Sequence, residues 1–462
     1  MALVIILLAS FMDLLDVTIV NITLPSVRAE LDASPAHLQW MLAGYTLAFA
    51  LGIITGARLG DLYGYKRVFL AGIAGFTAAS ALCGAAPTAE VLVSARIVQG
   101  LFAAAMVPQV LSQIQLMYAP HERGGAMAAF SSLSGLAAAT GPILGAALLE
   151  ADWFGQGWRT VFWLNVPVGI LAFLTAAAVL PEARSTTRPR LDVAGVLISS
   201  AGLILVLYPL IKGSEELPWP LWAYVSMILG VIVLAGFVRH QQHLSGQGKS
   251  PLIEVALFRV RSVGGGLLIQ FLFFLPVMGF FLTFMQLLQP GLGMTPMSAG
   301  LTILPWPIAT TIAAGLGAAV LLPRLGRTTV QIGLVVLAVG FVLLAAAAGT
   351  NWISFLPGVV VGGLGMGLTV APLAQLTLEK VPARHAASGS GLFNTVAQLA
   401  ASVGVALFGT VFFAQLSAHN GGYTTAFTAT IWGSLLLLAI TFAASFLLPR
   451  KETASTTAPA KP

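Results

Sequence analysis

Residues 2–24 read ALVIILLASFMDLLDVTIVNITL, an apolar stretch long enough to cross a hydrocarbon core about 30 Å thick. Two aspartates, Asp13 and Asp16, interrupt it near its middle. An ionised carboxylate at that depth costs about 2.5–3.5 kcal/mol on insertion scales, so each needs an interior site, a partner or a proton. Their i, i+3 spacing puts both side chains on one face of a helix. That arrangement suits a group that takes up and releases protons or attracts a cation. No Lys or Arg precedes the run and no small-residue cleavage site follows it, so the helix reads as retained rather than as a leader. The chain reads as a membrane transporter.

The rest of the composition agrees. Charged residues make up 8% of the 462 and hydrophobic residues 58%, whereas a soluble domain carries about a quarter of charged residues. Mean hydropathy is +0.93. One cysteine, Cys83, leaves no intramolecular disulfide and no CxxC metal or redox site, and reads as a packing residue. Apolar windows give fourteen spans, from 2–25 to 425–448, with the ninth (263–288) the most aromatic. With the N-terminus inside, eighteen of the 22 basic residues fall in inside segments, only Arg28, Arg159 and Lys212 fall outside, and Arg96 lies within the membrane. This bias places both termini in the cytoplasm and makes the net charge of +6 a topology signal rather than a nucleic-acid footprint. Gly362-Gly363 and Pro372 echo Gln99-Gly100 and Pro108 at an offset of eight helices. The repeat implies two six-helix bundles around a central site, as in many secondary transporters.

Several motifs carry chemistry. Gly56-Ala-Arg58-Leu-Gly60-Asp61-Leu-Tyr-Gly64-Tyr-Lys66-Arg67 is expected to be a tight Gly-rich loop holding one acid among bases, a latch of Gly56, Asp61, Gly64, Lys66 and Arg67. It resembles the signature loop of the major facilitator superfamily, with Arg58 where that family often has a small or apolar residue. Arg96-Ile-Val-Gln99-Gly100 is similar to the family's second motif. A base there must face water or a carboxylate, and it would tune Asp16 or Asp13. Gly135, Gly141-Pro142 and Gly145 resemble the superfamily's antiporter motif, in which small residues let helices approach and proline permits a bend.

Leu15-Asp16-Val-Thr18-Ile-Val-Asn21-Ile-Thr-Leu24-Pro25 resembles the first-helix motif of the drug:proton antiporters, with Thr23 where alanine is usual. Trp158-Arg159…Asn165-Val-Pro167, Leu191-Asp192…Gly195, Pro251-Leu-Ile-Glu254…Leu257-Phe258-Arg259 and Ala387-Ser388-Gly389…Asn394…Gln398 are similar to stretches of the fourteen-helix branch. The resemblance implies an all-α integral membrane protein of the major facilitator fold. Residues 1–180 would form one six-helix bundle, 181–262 two inserted helices with linkers, 263–449 the second bundle and 450–462 a disordered tail. It also implies a multi-pass protein of the plasma membrane that exports amphipathic, in some cases cationic, drugs or antibiotics in exchange for protons. A metabolite exporter or nutrient transporter on the same scaffold is the alternative.

All six histidines (His37, His121, His240, His243, His385 and His419) are expected in loops, which leaves Asp13 and Asp16 as proton carriers. Asp16 aligns with the family's acid. Asp13 reads equally as a second carrier, a cation-attracting group or a residue nearer the cavity mouth. One pH unit drives about 1.4 kcal/mol per proton, and 100 mV about 2.3 kcal/mol per net charge moved. Exchange of a proton for a neutral drug uses both terms; exchange for a monovalent cation uses only the first. The cavity is expected to be apolar and aromatic, with candidate polar lining from Asn21, Gln99, Gln109, Gln113, Gln270, Gln286, Gln375, Asn394 and Gln398. Trp40, Trp153, Trp158 and Trp352 read as interfacial anchors. The coupling ion is the proton, and the partners are a small amphipathic substrate and the lipid bilayer. No metal, cofactor, nucleic acid or obligate protein partner is implied, and no Walker loop or nucleophile elbow suggests an enzyme.

Overall fold

The computed structural model describes residues 2–118, 123–182, 192–212, 219–247, 249, 251–252, 260–349, 351–379, 381, 386–418 and 422–449. The expected tail 450–462, His121, His385, His419, Glu254 and the run 257–259 lie outside them, as do the basic residues Arg184, Arg188, Arg190, Lys380 and Arg384. Among the described residues the chain forms fourteen long helices and no strands. The first eight are α1 (Ala2–Leu31), α2 (Pro35–Tyr63), α3 (Tyr65–Gly84), α4 (Ala89–Met117), α5 (Arg123–Ala151), α6 (Arg159–Val179), α7 (Val193–Lys212) and α8 (Leu221–Gly246). They are followed by α9 (Arg261–Gln286), α10 (Pro296–Leu325), α11 (Thr328–Ala347), α12 (Phe355–Leu378), α13 (Ala386–Ala418) and α14 (Tyr423–Ala444). Helix α10 breaks at Leu304, where Pro305 has no N–H to continue the ladder, and widens over Gly317–Leu321.

Helix ends follow local chemistry and revise several boundaries. Ser34 caps α2: its hydroxyl accepts from the His37 N–H at 3.3 Å while His37 Nδ1 accepts from the Ser34 N–H at 3.2 Å, and Pro35 occupies the first turn. His37 is therefore helical, and His240 and His243 lie in the last turns of α8, so the loop assignment of these three is corrected. The glycine-rich signature is also mostly helix. Gly56 through Asp61 belong to α2, and the chain turns only at Gly64, whose φ of 97° suits glycine. Trp158 is buried at 1% exposure, edge-on to Phe162 at 6.0 Å, and is no interfacial anchor, whereas Trp153 and Trp352 are exposed.

Helices α1–α6 pack together as one group and α9–α14 as another, while α7 and α8 pair with each other. Lipid offers apolar side chains as good an environment as a neighbouring helix does, so close backbone approach carries the packing. Gly56 lets α2 cross directly over the Ala104 carbonyl of α4, and Gly141 and Gly145 seat α5 on Thr18, Ile19 and Ile22 of α1. The two groups are tied at the end that carries the α1–α2 connection. There Gln289 Nε2 donates to the Ile22 carbonyl (3.0 Å), Ser402 Oγ to the Ala43 carbonyl (2.9 Å) and the Met297 N–H to Glu150 (3.0 Å). Helix α7 lies against both α2 and α13, with Thr410 Oγ1 donating to the Leu210 carbonyl at 2.8 Å and Tyr208 beside Trp40.

Asp192, just ahead of α7, staples α7 to α8. It accepts from the Gly195 N–H (2.8 Å) and Gln241 Nε2 (2.7 Å) and meets His240 Nε2 at 3.0 Å. Burial pushes its carboxyl upward, but these hydrogen bonds prevail and hold it below the ordinary value. A depressed folded value means that the staple stabilises at neutral pH and is lost as pH falls through and below about 3.9. Thermal midpoints in detergent should therefore fall with acid more steeply for the native chain than for Asp192→Asn. Gly56→Val should lower stability by about 1–3 kcal/mol through overpacking, whereas Gly236→Ala, with open space around it, should be neutral or stabilising by up to about 1 kcal/mol. Equal effects in the two glycine variants would contradict the packing.

Candidate functional site

Three charged helical side chains are buried among the described residues: Asp13 and Asp16 on α1 and Arg96 on α4. Asp16 is wholly buried, and four helices converge on it. Its Oδ2 accepts from Arg96 Nη1; its Oδ1 accepts from Gln99 Nε2 of α4 at 3.0 Å and from Asn165 Nδ2 of α6 at 2.8 Å. Arg96 Nη1 also donates to Gln99 Oε1 (2.7 Å) and Nε to the Met41 carbonyl of α2 (3.3 Å). Ser80 of α3, which donates to the Phe162 carbonyl, accepts from Asn165 at 3.0 Å. Cys83 Sγ sits 3.7 Å from Gln99 Oε1, packed behind the pair. Such a pair persists in a low dielectric only with further hydrogen bonds, and here both Asp16 oxygens and the Arg96 Nε and Nη1 have partners.

Asp13 has a different environment. It is 5% exposed, and its only hydrogen-bond partner among the described residues is the Tyr45 hydroxyl of α2, which donates to Oδ1. The Tyr45 ring also lies under the Arg96 guanidinium, 4.3 Å from Cζ, in a cation–π contact. One tyrosine thus touches both charged centres.

A cavity of about 280 Å³ separates the two bundles beside this cluster. Its α1–α6 wall is mixed: Thr18, Asn21, Tyr45, Thr46 and Arg96 supply the polar groups and Pro142 of α5 completes it. The opposite wall is mostly soft and apolar, with Met278, Phe281, Met285, Trp306 and Met366 beside Thr310 and Thr311. Trp306 is fixed by stacking on Phe280 at 4.9 Å, within a cluster that extends to Phe341. Neither aspartate is on the cavity wall; Tyr45 stands in front of Asp13 and Arg96 in front of Asp16.

The expected polar lining is largely elsewhere. Asn21 is on the wall, with Nδ2 turned back to the Val17 carbonyl at 3.2 Å. Gln99 belongs to the ion pair, and Gln109 donates to the Gly56 carbonyl (2.7 Å) where α2 crosses α4. Gln113, Gln270 and Gln286 are buried away from the wall, Gln398 is half-buried, and Gln375 and Asn394 are exposed. Amides are long enough to reach across helix crossings, as Gln99 and Gln109 do. Tyr45, Thr18 and Thr46, with Thr310 and Thr311 opposite, supply the cavity's hydroxyls instead, and no motif marked Tyr45.

In the signature region Asp61 accepts from the Tyr65 hydroxyl at 2.7 Å, Arg67 reaches Glu182 at 3.9 Å, and Lys66 is half-buried in the first turn of α3. Arg58 donates to the Pro251 carbonyl of the α8–α9 linker. Of the antiporter motif, Gly141 and Gly145 form the α1–α5 crossing, Pro142 borders the cavity and its carbonyl faces Gly300 of α10, and Gly135 lies in α5 nearer its start.

Removing one partner of a buried ion pair strands the other. Arg96→Met should cost about 3–5 kcal/mol of stability, against about 1–3 kcal/mol for Asn165→Ala, which removes one of Asp16's donors. Thermal denaturation of the purified variants ranks them; the reverse order would contradict the pairing.

The Major Facilitator Superfamily profile matches residues 6–405. The chain is 43% identical to the "Probable actinorhodin transporter" of Streptomyces coelicolor over 90% of this chain and 73% of that protein. It is 34% identical to the "Puromycin resistance protein pur8" of Streptomyces alboniger, over 96% and 88% of the two chains. Among solved structures, a bacterial homologue of the human lysosomal transporter Spinster, captured inward-facing and occupied, superposes with a TM-score of 0.69. That match covers 96% of this chain and 95% of that one at 16% identity, a likeness of fold. This chain is a membrane transporter, not an enzyme, and belongs to the major facilitator superfamily, among relatives named for actinorhodin transport and puromycin resistance.

Proposed function

We propose that the chain exports amphipathic drugs or antibiotics across the plasma membrane in exchange for protons, by alternating access, with both termini in the cytoplasm. The observation that carries this reading is a mid-depth cavity between two bundles, one wall apolar and aromatic, the other backed by two buried carboxylates. Pockets of this make-up take hydrophobic small molecules with few fixed polar contacts. The similarity to a probable actinorhodin transporter and to a puromycin resistance protein supports antibiotics as cargo.

With the basic residues inside, the α1–α2 connection is outside, and the bonds joining Ile22 to Gln289, Ala43 to Ser402 and Glu150 to Met297 form the outer seal. The state is then inward-facing, ready to load from the cytoplasm. Rocking outward parts these three contacts and closes the opposite end. The close α1–α5 crossing at Gly141 and Gly145 keeps the carboxylate helix rigid with its bundle during that movement. The proton is the coupling ion and the α1 carboxylates carry it; the reading needs no cofactor, metal or protein partner.

The test is uptake into inverted membrane vesicles with an acidic lumen, using puromycin and a panel of amphipathic drugs, with lumenal pH recorded. Accumulation should accompany alkalinisation of the lumen, collapse with an uncoupler, and fall to background in the Asp13→Asn/Asp16→Asn double variant. Undiminished proton-coupled uptake in the double variant, or net movement in the opposite direction, would contradict the reading.

A further inference from the structure

We infer that the cavity selects aromatic molecules by hydrogen-bond polarity: Arg96 takes a carbonyl oxygen, while Asn21, Thr310 and Thr311 take hydroxyl or N–H donors. Its substrates then include hydroxylated aromatic ketones and quinones. The inference rests on the export reading above and adds the chemistry of the cargo.

It follows from where each polar group on the wall directs its hydrogens. Thr18, drawn beneath Gly141, donates to the Leu15 carbonyl at 3.0 Å, and Thr46 donates to the Leu42 carbonyl at 3.1 Å. Across the cavity, Thr310 donates to the Gly363 carbonyl of α12 at 3.0 Å and Thr311 to the Pro307 carbonyl at 2.9 Å. Trp306 Nε1 donates to Met366 Sδ at 3.2 Å, and the Tyr45 hydroxyl donates to Asp13. Asn21 commits Nδ2 to the Val17 carbonyl and leaves Oδ1 without a partner among the described residues. With these hydrogens engaged, Asn21, Thr46, Thr310 and Thr311 have oxygen lone pairs left for a ligand.

Arg96 is the exception. Its Nε and Nη1 are held by the Met41 carbonyl, Asp16 and Gln99, but Nη2 has no partner among the described residues, and the side chain borders the cavity. A charged donor at this depth is costly to leave without an acceptor. The acceptor it calls for is neutral, because Asp16 already balances the guanidinium and a ligand carboxylate would add negative charge beside two aspartates. A carbonyl oxygen meets that requirement. Phe281 and Trp306 give the rest of the molecule aromatic faces to stack on, and Met278 and Met285 adapt to its outline.

The probes are 2,6-dihydroxyanthraquinone, its dimethoxy ether and 2,6-dihydroxyanthracene, which share a ring outline and differ in donors or in carbonyls. Equilibrium dialysis against the purified full-length chain in detergent, corrected for empty micelles and run anaerobically at mildly acidic pH, keeps the phenols neutral and reduced. The quinone diol should bind about tenfold or more tighter than either the ether or the carbonyl-free diol, a difference of about 1.4 kcal/mol or more. Arg96 also holds Asp16, so its part is read from the ligand side rather than from a variant. The Thr310→Val/Thr311→Val double variant keeps side-chain shape; it should narrow the preference for the quinone diol over the ether by about threefold or more and leave ether binding unchanged. No binding of the quinone diol, equal binding of the ether or of the carbonyl-free diol, or an undiminished preference in a monodisperse double variant would each overturn the inference. Proton-coupled vesicle uptake of puromycin would stand in any of those cases, so this inference fails separately from the export reading.

Discussion

The buried bond between Asp16 and Arg96 organises everything else in the α1–α6 bundle. An arginine at this depth is tolerated only against an acid or water, and an acid only against a base, a donor set or a proton. Here the two satisfy each other while drawing in Gln99 from α4, Asn165 from α6 and the Met41 carbonyl from α2. Buried ion pairs contribute little net stability over a well-packed apolar alternative. Their effect is geometric: this one fixes which faces of α1, α2, α4 and α6 meet, and it spends the one buried positive charge among the described residues on one of two aspartates.

The consequence is an asymmetric pair. Two carboxylates one helical turn apart occupy unlike sites because they point at different helices. Asp16 faces the α4–α6 crossing and is saturated; Asp13 faces α2 and has one tyrosine. Tyr45 then joins the two through its hydroxyl and its ring face, and it also forms part of the cavity wall. Around this core, glycines rather than apolar area determine how near the helices come, as expected where lipid competes equally for apolar side chains. Gly56 under Ala104 and Gly145 under Ile19 are among the places where no other residue fits without movement.

Much of this was legible in the residues themselves. Fourteen spans, the deep acids and the need of Arg96 for an acidic partner follow from the cost of charge in hydrocarbon. The small-residue spacing of Gly141 and Gly145 foretold a close crossing. What was not legible has common causes. A tyrosine within an apolar span carries no period that says which way its hydroxyl points, so Tyr45 was overlooked. Glutamines signal polarity but not destination, and Gln109 went to a helix crossing instead of the cavity. The signature stretch looks like a loop because of its glycines, yet Gly56 and Gly60 are there for proximity to α4 and only Gly64 has a turn's backbone. Trp158 sits at a span end, where tryptophan commonly meets the interface, but Phe162 and Arg159 enclose it.

Infrared difference spectroscopy of the purified chain, recorded on adding puromycin at constant pH, addresses the division of labour between the two aspartates most directly. A protonated carboxyl stretch should disappear on binding in the native chain and be missing from the difference spectrum of Asp13→Asn. The same loss persisting undiminished in Asp13→Asn would show that another carboxyl gives up the proton, and that the asymmetry between Asp13 and Asp16 does not govern coupling.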